Sequence, residues 1–363
     1  MENRTLGCWT ESVEPFLDPL VRVGREFTDL TGVPVDVPAA LFLRAEAAGF
    51  AAPGRTSANG SCRLMEAADG WVALNLARPD DIAAIPALLA LMAAAGASGT
   101  HPETTAGLAE AARSVPAAEA AGAAQLLGVA ASALGSARHG LPAVRTERLG
   151  EARSRGLAGL RVVDLSALWA GPLCARLLGL AGAEVVKVES TTRPDGARLG
   201  SPDFYRWLHD GHENRVLDFG SGALADIVAE ADIVIEASRP RALRRLGVHA
   251  EQFLAARPGR VWLSITGYGR DDDRIAFGDD AAAAAGLVDH DADGRPLFLG
   301  DAIADPVTGI HAARAVARSV ARGGGELVAA AMAGCAAELA AHGRGPVERV
   351  DGTEACDAGR RSP

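Results

Sequence analysis

Asp305 is the side chain in this sequence best placed to do chemistry. It stands in Gly300-Asp301-Ala302-Ile303-Ala304-Asp305-Pro306-Val307-Thr308-Gly309-Ile310-His311, at the mouth of a predicted helix. Pro306 suits the first helical position because it has no N–H to leave unsatisfied. The Ala-rich run from Ile310 to Val320 then carries the helix on. An Asp in such a place most often serves as an N-cap that accepts backbone N–H bonds. The fragment alone favours that reading, and a chemical role has to be argued from the rest of the chain.

Other clusters invite weaker readings. The segment Arg239-Pro240-Arg241-Ala242-Leu243-Arg244-Arg245-Leu246-Gly247 holds four arginines in nine residues after a strand. Guanidinium forks suit phosphate, so it is a local site for an anionic ligand, against the alternative of a solvated helix face. Asp271-Asp272-Asp273 and Asp279-Asp280 lack EF-hand spacing and read as solvated loops. His209-Asp210-Gly211-His212-Glu213 lacks the HExxH spacing of a zinc site. The five cysteines (Cys8, Cys62, Cys174, Cys335, Cys356) contain no CxxC pair, so neither zinc nor a disulfide framework is indicated. No metal is expected.

Composition narrows the classes. Lys plus Arg number 36 against 46 Asp plus Glu, a net charge of −10 over 363 residues. This disfavours nucleic acid as a partner. The beginning MENRTLGCWTESVEPF has no apolar signal core, and no apolar run reaches the ~18 residues of a membrane span. A cytoplasmic protein without membrane contact is expected.

The elements that must position Asp305 form two textures. Residues 1–150 read as a smaller α+β domain, with a strand at Asp69–Leu76 after an Asp-Gly turn, a helix from Pro79 through Met92 and another over 117–134. A charged linker runs from Arg145 to Gly156. Residues 157–341 read as a Rossmann-like large domain: strands at Arg161–Leu165, Glu184–Glu189, Ile233–Glu236 and Arg260–Ile265 alternate with helices. That alternation argues for a parallel α/β sheet with right-handed crossovers, and ligands bind beyond the strand C-termini of such sheets. The unit VVDLSALWAGPLCARLLGLAGAEVVKVE lacks GxGxxG, which weakens a nicotinamide-dinucleotide reading. Ala281–Ala285 and the stretch from Ala329 onward read as tightly packed helices, and residues 342–363 as a disordered tail.

The ordered set DLSxxxAGP, GAEVVKVE, LDF, ADIVIEASRPxxLxRLG, VWLSITGYG and IADPVTG resembles the family III CoA-transferases, which include formyl-CoA transferase, carnitine CoA-transferase and α-methylacyl-CoA racemase. The resemblance covers residues 158 to about 340. ADGWVALNLARPDD and AAEAAGAAQLLGVAASAL resemble the family's small domain, which here precedes the large one, a permuted order.

The resemblance implies a CoA-transferase acting on an acyl-CoA and a small carboxylic acid, with no tightly bound cofactor, as an interlocked homodimer. The (A/G)DxxxG motif is matched by Asp305 and Gly309, which makes Asp305 the implied nucleophile of an aspartyl anhydride and aspartyl-CoA thioester. CoA contacts carry over to Trp169, Ala170, Leu217, Arg239, Arg245, Leu246 and Phe277. Racemases of the family pair the same Asp with a His; the matching position here is Phe277, or Gly278 with the register moved by one. No His lies between His249 and His290, so the second base of a racemase lacks its usual residue. The alternatives are a racemase with Asp279 or Asp280 as substitute base, and a non-catalytic CoA-binding homologue or subunit of a larger transferase.

Overall fold

The structure, a computed structural model, describes residues 4–137, 139–238 and 240–342. The first half supplies β1 (Cys62–Ala67), β2 (Gly70–Asn75) and β3 (Ala130–Ala133), an antiparallel sheet in the order β1-β2-β3. The chain continues through β4 (Val144–Arg148), β5 (Arg161–Asp164), β6 (Glu184–Ser190), β7 (Glu213–Leu217), β8 (Ile233–Glu236) and β9 (Val261–Thr266). A hairpin of β10 (Val288–His290) and β11 (Pro296–Phe298) precedes β12 (Glu326–Ala331).

A seven-stranded sheet of order β4-β12-β9-β8-β5-β6-β7 forms the body of this α/β protein. All its neighbours are parallel except β4, which runs antiparallel to β12 at one edge. From β7 to β12 the order is that of a doubly wound Rossmann sheet, reversing direction between β5 and β8. Successive side chains of a strand face opposite sides, and both sides are covered. Val162, Ile233, Ile235 and Leu263 enter one core with Leu173, Val307 and Val316. Val163, Val234 and Trp262 enter another with Leu224, Val228 and Phe253. This is why the strands read as short apolar runs without polar alternation.

The first half is not confined to the small sheet. Helices Arg4–Thr31 and Val37–Ala48 pack on the helix Ala304–Ala321, and Glu26 meets Arg318 at 2.8 Å. The small sheet packs one face on its own helices around Leu88, Leu108 and Ala120. Through Cys62, Leu64 and Ala73 its other face meets Ala283 and Phe298.

Four sequence expectations change. The helix over 117–134 stops at Leu126; Gly128 turns the chain at φ 75° and Ala130–Ala133 becomes β3, paired with β2. High alanine content had masked a strand whose partner is distant in sequence. The Arg145–Gly156 linker begins as the edge strand β4. The stretch from Ala329 first completes β12 and turns helical at Met332. Asp279 and Asp280 are buried in the first turn of the helix Gly278–Ala285, not solvated. The expected tail beyond His342 lies outside the described residues.

Candidate active site

Three helix N-termini converge on the Asp305 carboxyl. Its own helix starts at Ala304, so Asp305 is the second helical residue and not the N-cap, and Pro306 is the third. The first residues of two other helices, Ala170 of Ala170–Leu180 and Gly278 of Gly278–Ala285, turn their amides toward it. Unpaired N–H groups and the helix dipole make each such end a favourable place for negative charge.

Close approach explains the glycines around it. A Cβ on Gly278 would lie 2.4 Å from Asp305 Oδ2 and 2.2 Å from the Ala302 carbonyl oxygen. A Cβ on Gly309, one turn past Asp305, would lie 2.8 Å from the Ala170 carbonyl oxygen and 2.9 Å from Leu173 Cδ2. The spacing of Asp305 and Gly309 therefore has a mechanical meaning: the glycine lets the helix carrying Ala170 press against the helix carrying the acid. Two non-glycine residues adopt positive φ among the described residues, Leu168 (69°) and Ala302 (44°). Each lies just before a helix that ends at Asp305, where sparsely populated backbone states cost of order 1–3 kcal/mol.

A network beneath the first loop holds Leu168. Its amide donates to Asp195 Oδ1 at 2.9 Å, and Lys187 Nζ meets Asp195 Oδ2 at 2.9 Å and Asp164 at 3.7 Å, all three side chains fully buried. Lys187 also donates to the Ser166 carbonyl, and Ser166 donates to Asp164. Burial opposes the charge on Lys187, but Asp164 and Asp195 outweigh it and leave its pKa raised.

Four acids crowd the site. Burial raises Asp305 to about 7; Arg44 and the amides of Ala170 and Gly278 act against the rise, and Asp301 adds to it. Burial likewise pushes Asp279 to about 8, Asp280 to about 7 and Asp301 to about 6. Asp279 Oδ1 accepts from the Ala302 amide (3.0 Å). Asp280 Oδ1 accepts from the Phe277 amide (2.9 Å) and from Asn75 Nδ2 (3.2 Å). These two acids thus set the turns before Gly278 and before Asp305, and β2 helps through Asn75. Arg44 Nη1 donates to Asp301 at 2.8 Å, its guanidinium 5.4 Å from the centre of the Trp169 ring.

The residues singled out from the sequence fall into two groups. Trp169, Ala170 and Phe277 gather at Asp305. Trp169 is 2% exposed, edge-on to Phe204; Phe277 is half-buried with Arg78 over its ring. Leu217 ends β7, while Arg245 and the half-exposed Leu246 follow β8, at the same C-terminal edge of the sheet. Arg239 lies outside the described residues. Two neighbours in the arginine segment are engaged, Arg241 with Asp273 (3.0 Å) and Arg244 with Glu251 (2.8 Å). Sequence reasoning gave no role to Asp301, Arg44 or Lys187. Asp301 lay inside the quoted Asp305 segment; Arg44 carried no signal, standing in an alanine-rich helix over 250 residues away.

Among the described residues, no group of three or more His, Cys, Asp or Glu is arranged to hold a metal ion. The His209 and His212 rings meet edge-on, 5.7 Å apart, and burial lowers His209 to about 4. A cavity of about 450 Å³ lined by Arg198, Tyr205, Arg206, His209 and Asn214 shares no residue with the Asp305 cluster.

Residues 157–344 match the family described as CoA-transferase family III. A succinate–glutarate CoA-transferase of Agrobacterium fabrum is 28% identical over 186 residues, which are 45% of this chain and 46% of that protein. The succinyl-CoA–L-malate CoA-transferase beta subunit of Chloroflexus aurantiacus is 31% identical over 172 residues, 43% of this chain and 42% of that one. A CAIB/BAIF family protein from Brucella suis superposes with a TM-score of 0.45 at 27% identity, covering 51% of this chain and 55% of its own. The chain spans about half the length of the curated relatives it matches.

Proposed function

The chain belongs to CoA-transferase family III, and from that premise we propose that it moves CoA between an acyl-CoA and a carboxylic acid, with Asp305 as the nucleophile. The observation that carries the proposal is the convergence of the Ala170 and Gly278 amides on the Asp305 carboxyl at the head of its own helix.

The chemistry balances without an added proton donor. One Asp305 oxygen attacks the thioester carbonyl, and CoA leaves as the thiolate, giving an aspartyl–acyl anhydride. The thiolate attacks the aspartyl carbonyl, releasing the donor acid as its carboxylate and leaving an aspartyl-CoA thioester. An incoming carboxylate then displaces the thiolate from that thioester, and the thiolate attacks the new acyl carbonyl, freeing Asp305. The anhydride divides one difficult acyl exchange into easier steps. Whenever thiolate or carboxylate attacks the aspartyl carbonyl, its oxygen becomes an oxyanion beside the Ala170 and Gly278 amides. Preorganised donors of this kind are worth about 2.7–4 kcal/mol each in other acyl-transfer sites.

Trp169, Ala170, Leu217, Arg239, Arg245, Leu246 and Phe277 are proposed as the CoA contacts. The strand order reverses between β5 and β8, and ligands of such sheets bind beyond the strand C-termini there, which supports this for Trp169 and Ala170 after β5 and for Arg245 and Leu246 after β8. A homodimer and a cytoplasmic location are proposed from the family resemblance.

The half-length match to the relatives favours a second reading, in which the chain is one subunit of a larger transferase. One experiment tests both. The protein is incubated with a panel of acyl-CoAs, trapped with hydroxylamine or borohydride, and its peptides are mapped by mass spectrometry. Label at Asp305, absent in Asp305→Ala, is expected. CoA binding with no label in the wild type supports the subunit reading and removes the nucleophile.

A further inference from the structure

The exchange proposed above brings carboxylates into a site already crowded with Asp279, Asp280, Asp301 and Asp305. A donor acid must leave as an anion and an acceptor must arrive as one, so a cation is required where they pass. Arg44 is the cation that acts on Asp279, Asp301 and Asp305 alike. It comes from the helix Val37–Ala48, outside residues 157–344.

Its geometry suits an incoming carboxylate. Only Nη1 is engaged among the described residues, donating to Asp301 at 2.8 Å. Nε and Nη2, the edge of the fork that binds a carboxylate with two parallel hydrogen bonds, have no protein acceptor among the described residues. The guanidinium lies 5.4 Å from the Trp169 ring centre and 5.6 Å from that of Phe50, within cation–π range of both rings. The side chain is 24% exposed, whereas that of Asp301 is fully buried. One end of the fork is thus anchored in the protein and the other remains open to a ligand. The ion pair also ties Arg44 to the segment immediately before Asp305, which keeps the open edge in register with the nucleophile.

We propose that Arg44 is the carboxylate-binding residue of the site, its Nε and Nη2 receiving the acid that approaches or leaves Asp305. This rests on the transferase reading, but it is tested separately with a protein that cannot react. Calorimetric titration of succinate into Asp305→Asn is compared with Asp305→Asn/Arg44→Gln, Asp305→Asn/Arg44→Lys and the neutral probe succinamide. Loss of a charged hydrogen-bond donor is expected to weaken succinate binding about 10- to 100-fold in the Gln variant. The Lys variant should fall between, and succinamide binding should not change with residue 44. In otherwise wild-type protein the same substitution should raise the KM for the acceptor acid far more than the KM for the acyl-CoA.

Equal succinate affinity with and without Arg44, no succinate binding at all, or parallel loss of succinamide binding would overturn the proposal. Far-UV circular dichroism and Arg44→Gln/Asp301→Asn, which removes both partners of the ion pair, separate a failed fold from a lost ligand contact. Arg44-dependent succinate binding in a protein whose wild type never labels Asp305 would support the carboxylate site and refute the nucleophile.

Discussion

Replacing Gly278 by alanine should cost activity as well as stability. The added Cβ would stand 2.4 Å from Asp305 Oδ2 and 2.2 Å from the Ala302 carbonyl oxygen, while real Cβ contacts essentially never fall below 3.0 Å. The carboxyl must therefore retreat by at least 0.6 Å and the Ala302 carbonyl by 0.8 Å. Neither atom is the loose end of a flexible chain: Ala302 is held by Asp279 and Asp305 heads a long helix. A misplacement of about 1 Å costs on the order of 100-fold in rate, so kcat should fall roughly 30- to 100-fold. Overpacking should lower stability by about 1–3 kcal/mol. The control is Gly286→Ala, at the left-handed C-cap of the same helix, eight residues from Gly278, where φ of 71° makes any side chain strained. It should lose a comparable stability, about 1–2 kcal/mol, with kcat unchanged. Steady-state transfer kinetics and urea unfolding of both variants supply the comparison. If Gly278→Ala keeps kcat within about threefold of wild type, far short of the loss that such a misplacement causes, the argument that this backbone positions the acid is wrong.

Other outcomes follow from the same geometry. Burial raises Asp305 to about 7 and the nucleophile is the ionised form, so kcat should climb with pH through about 7; a flat profile from acid to neutral pH would count against it. Asp279, pushed by burial from the usual carboxylate range to about 8, keeps its proton in the folded state over that window. Its stabilisation is complete below the ordinary carboxylate range and is lost as pH rises through about 8. Asp279→Asn should accordingly flatten the fall in stability between acid and alkaline pH in urea titrations. Lys187→Met leaves Asp164 and Asp195 buried without their cation; unfolding should be easier by about 3–5 kcal/mol, with Lys187→Arg too large for the enclosed site to rescue it fully. Gly309→Ala should lose stability by about 1–3 kcal/mol through overpacking against Ala170 and Leu173.

Much of the large sheet was legible because its strands are short β-branched runs, VVD, EVVKVE and IVIE, set between helices and covered on both faces. The elements misread were those whose identity depends on a distant partner. Ala130–Ala133 is a strand only because β2 lies beside it, and Val144–Arg148 only because β12 does. Ala329 belongs to β12 through β9, although its alanine-rich setting favours helix. At the site, the Asp305–Gly309 spacing and the AGP segment were visible as motifs. What the motif could not report was its cause, the touching of two helices through Gly309 and the placement of Ala170 at the acid. Arg44 and Asn75 were invisible for the same reason: each reaches the site across more than 200 residues of sequence. Reading Asp279-Asp280 as solvated failed because a charge pair says nothing of the helix turn and sheet that bury it.

In the proposed exchange Asp305 is covalently consumed and regenerated in each turnover. An acceptor acid whose carboxylate carries oxygen-18 is supplied, and the peptide that contains Asp305 is weighed after turnover. The mechanism requires one labelled oxygen to remain on the aspartate when the thiolate takes the acyl group from the anhydride. Heavy oxygen is expected in the Asp305 carboxyl, dependent on both substrates and absent in Asp305→Asn. Product acyl-CoA formed at full rate with no heavy oxygen on Asp305 would contradict the mechanism.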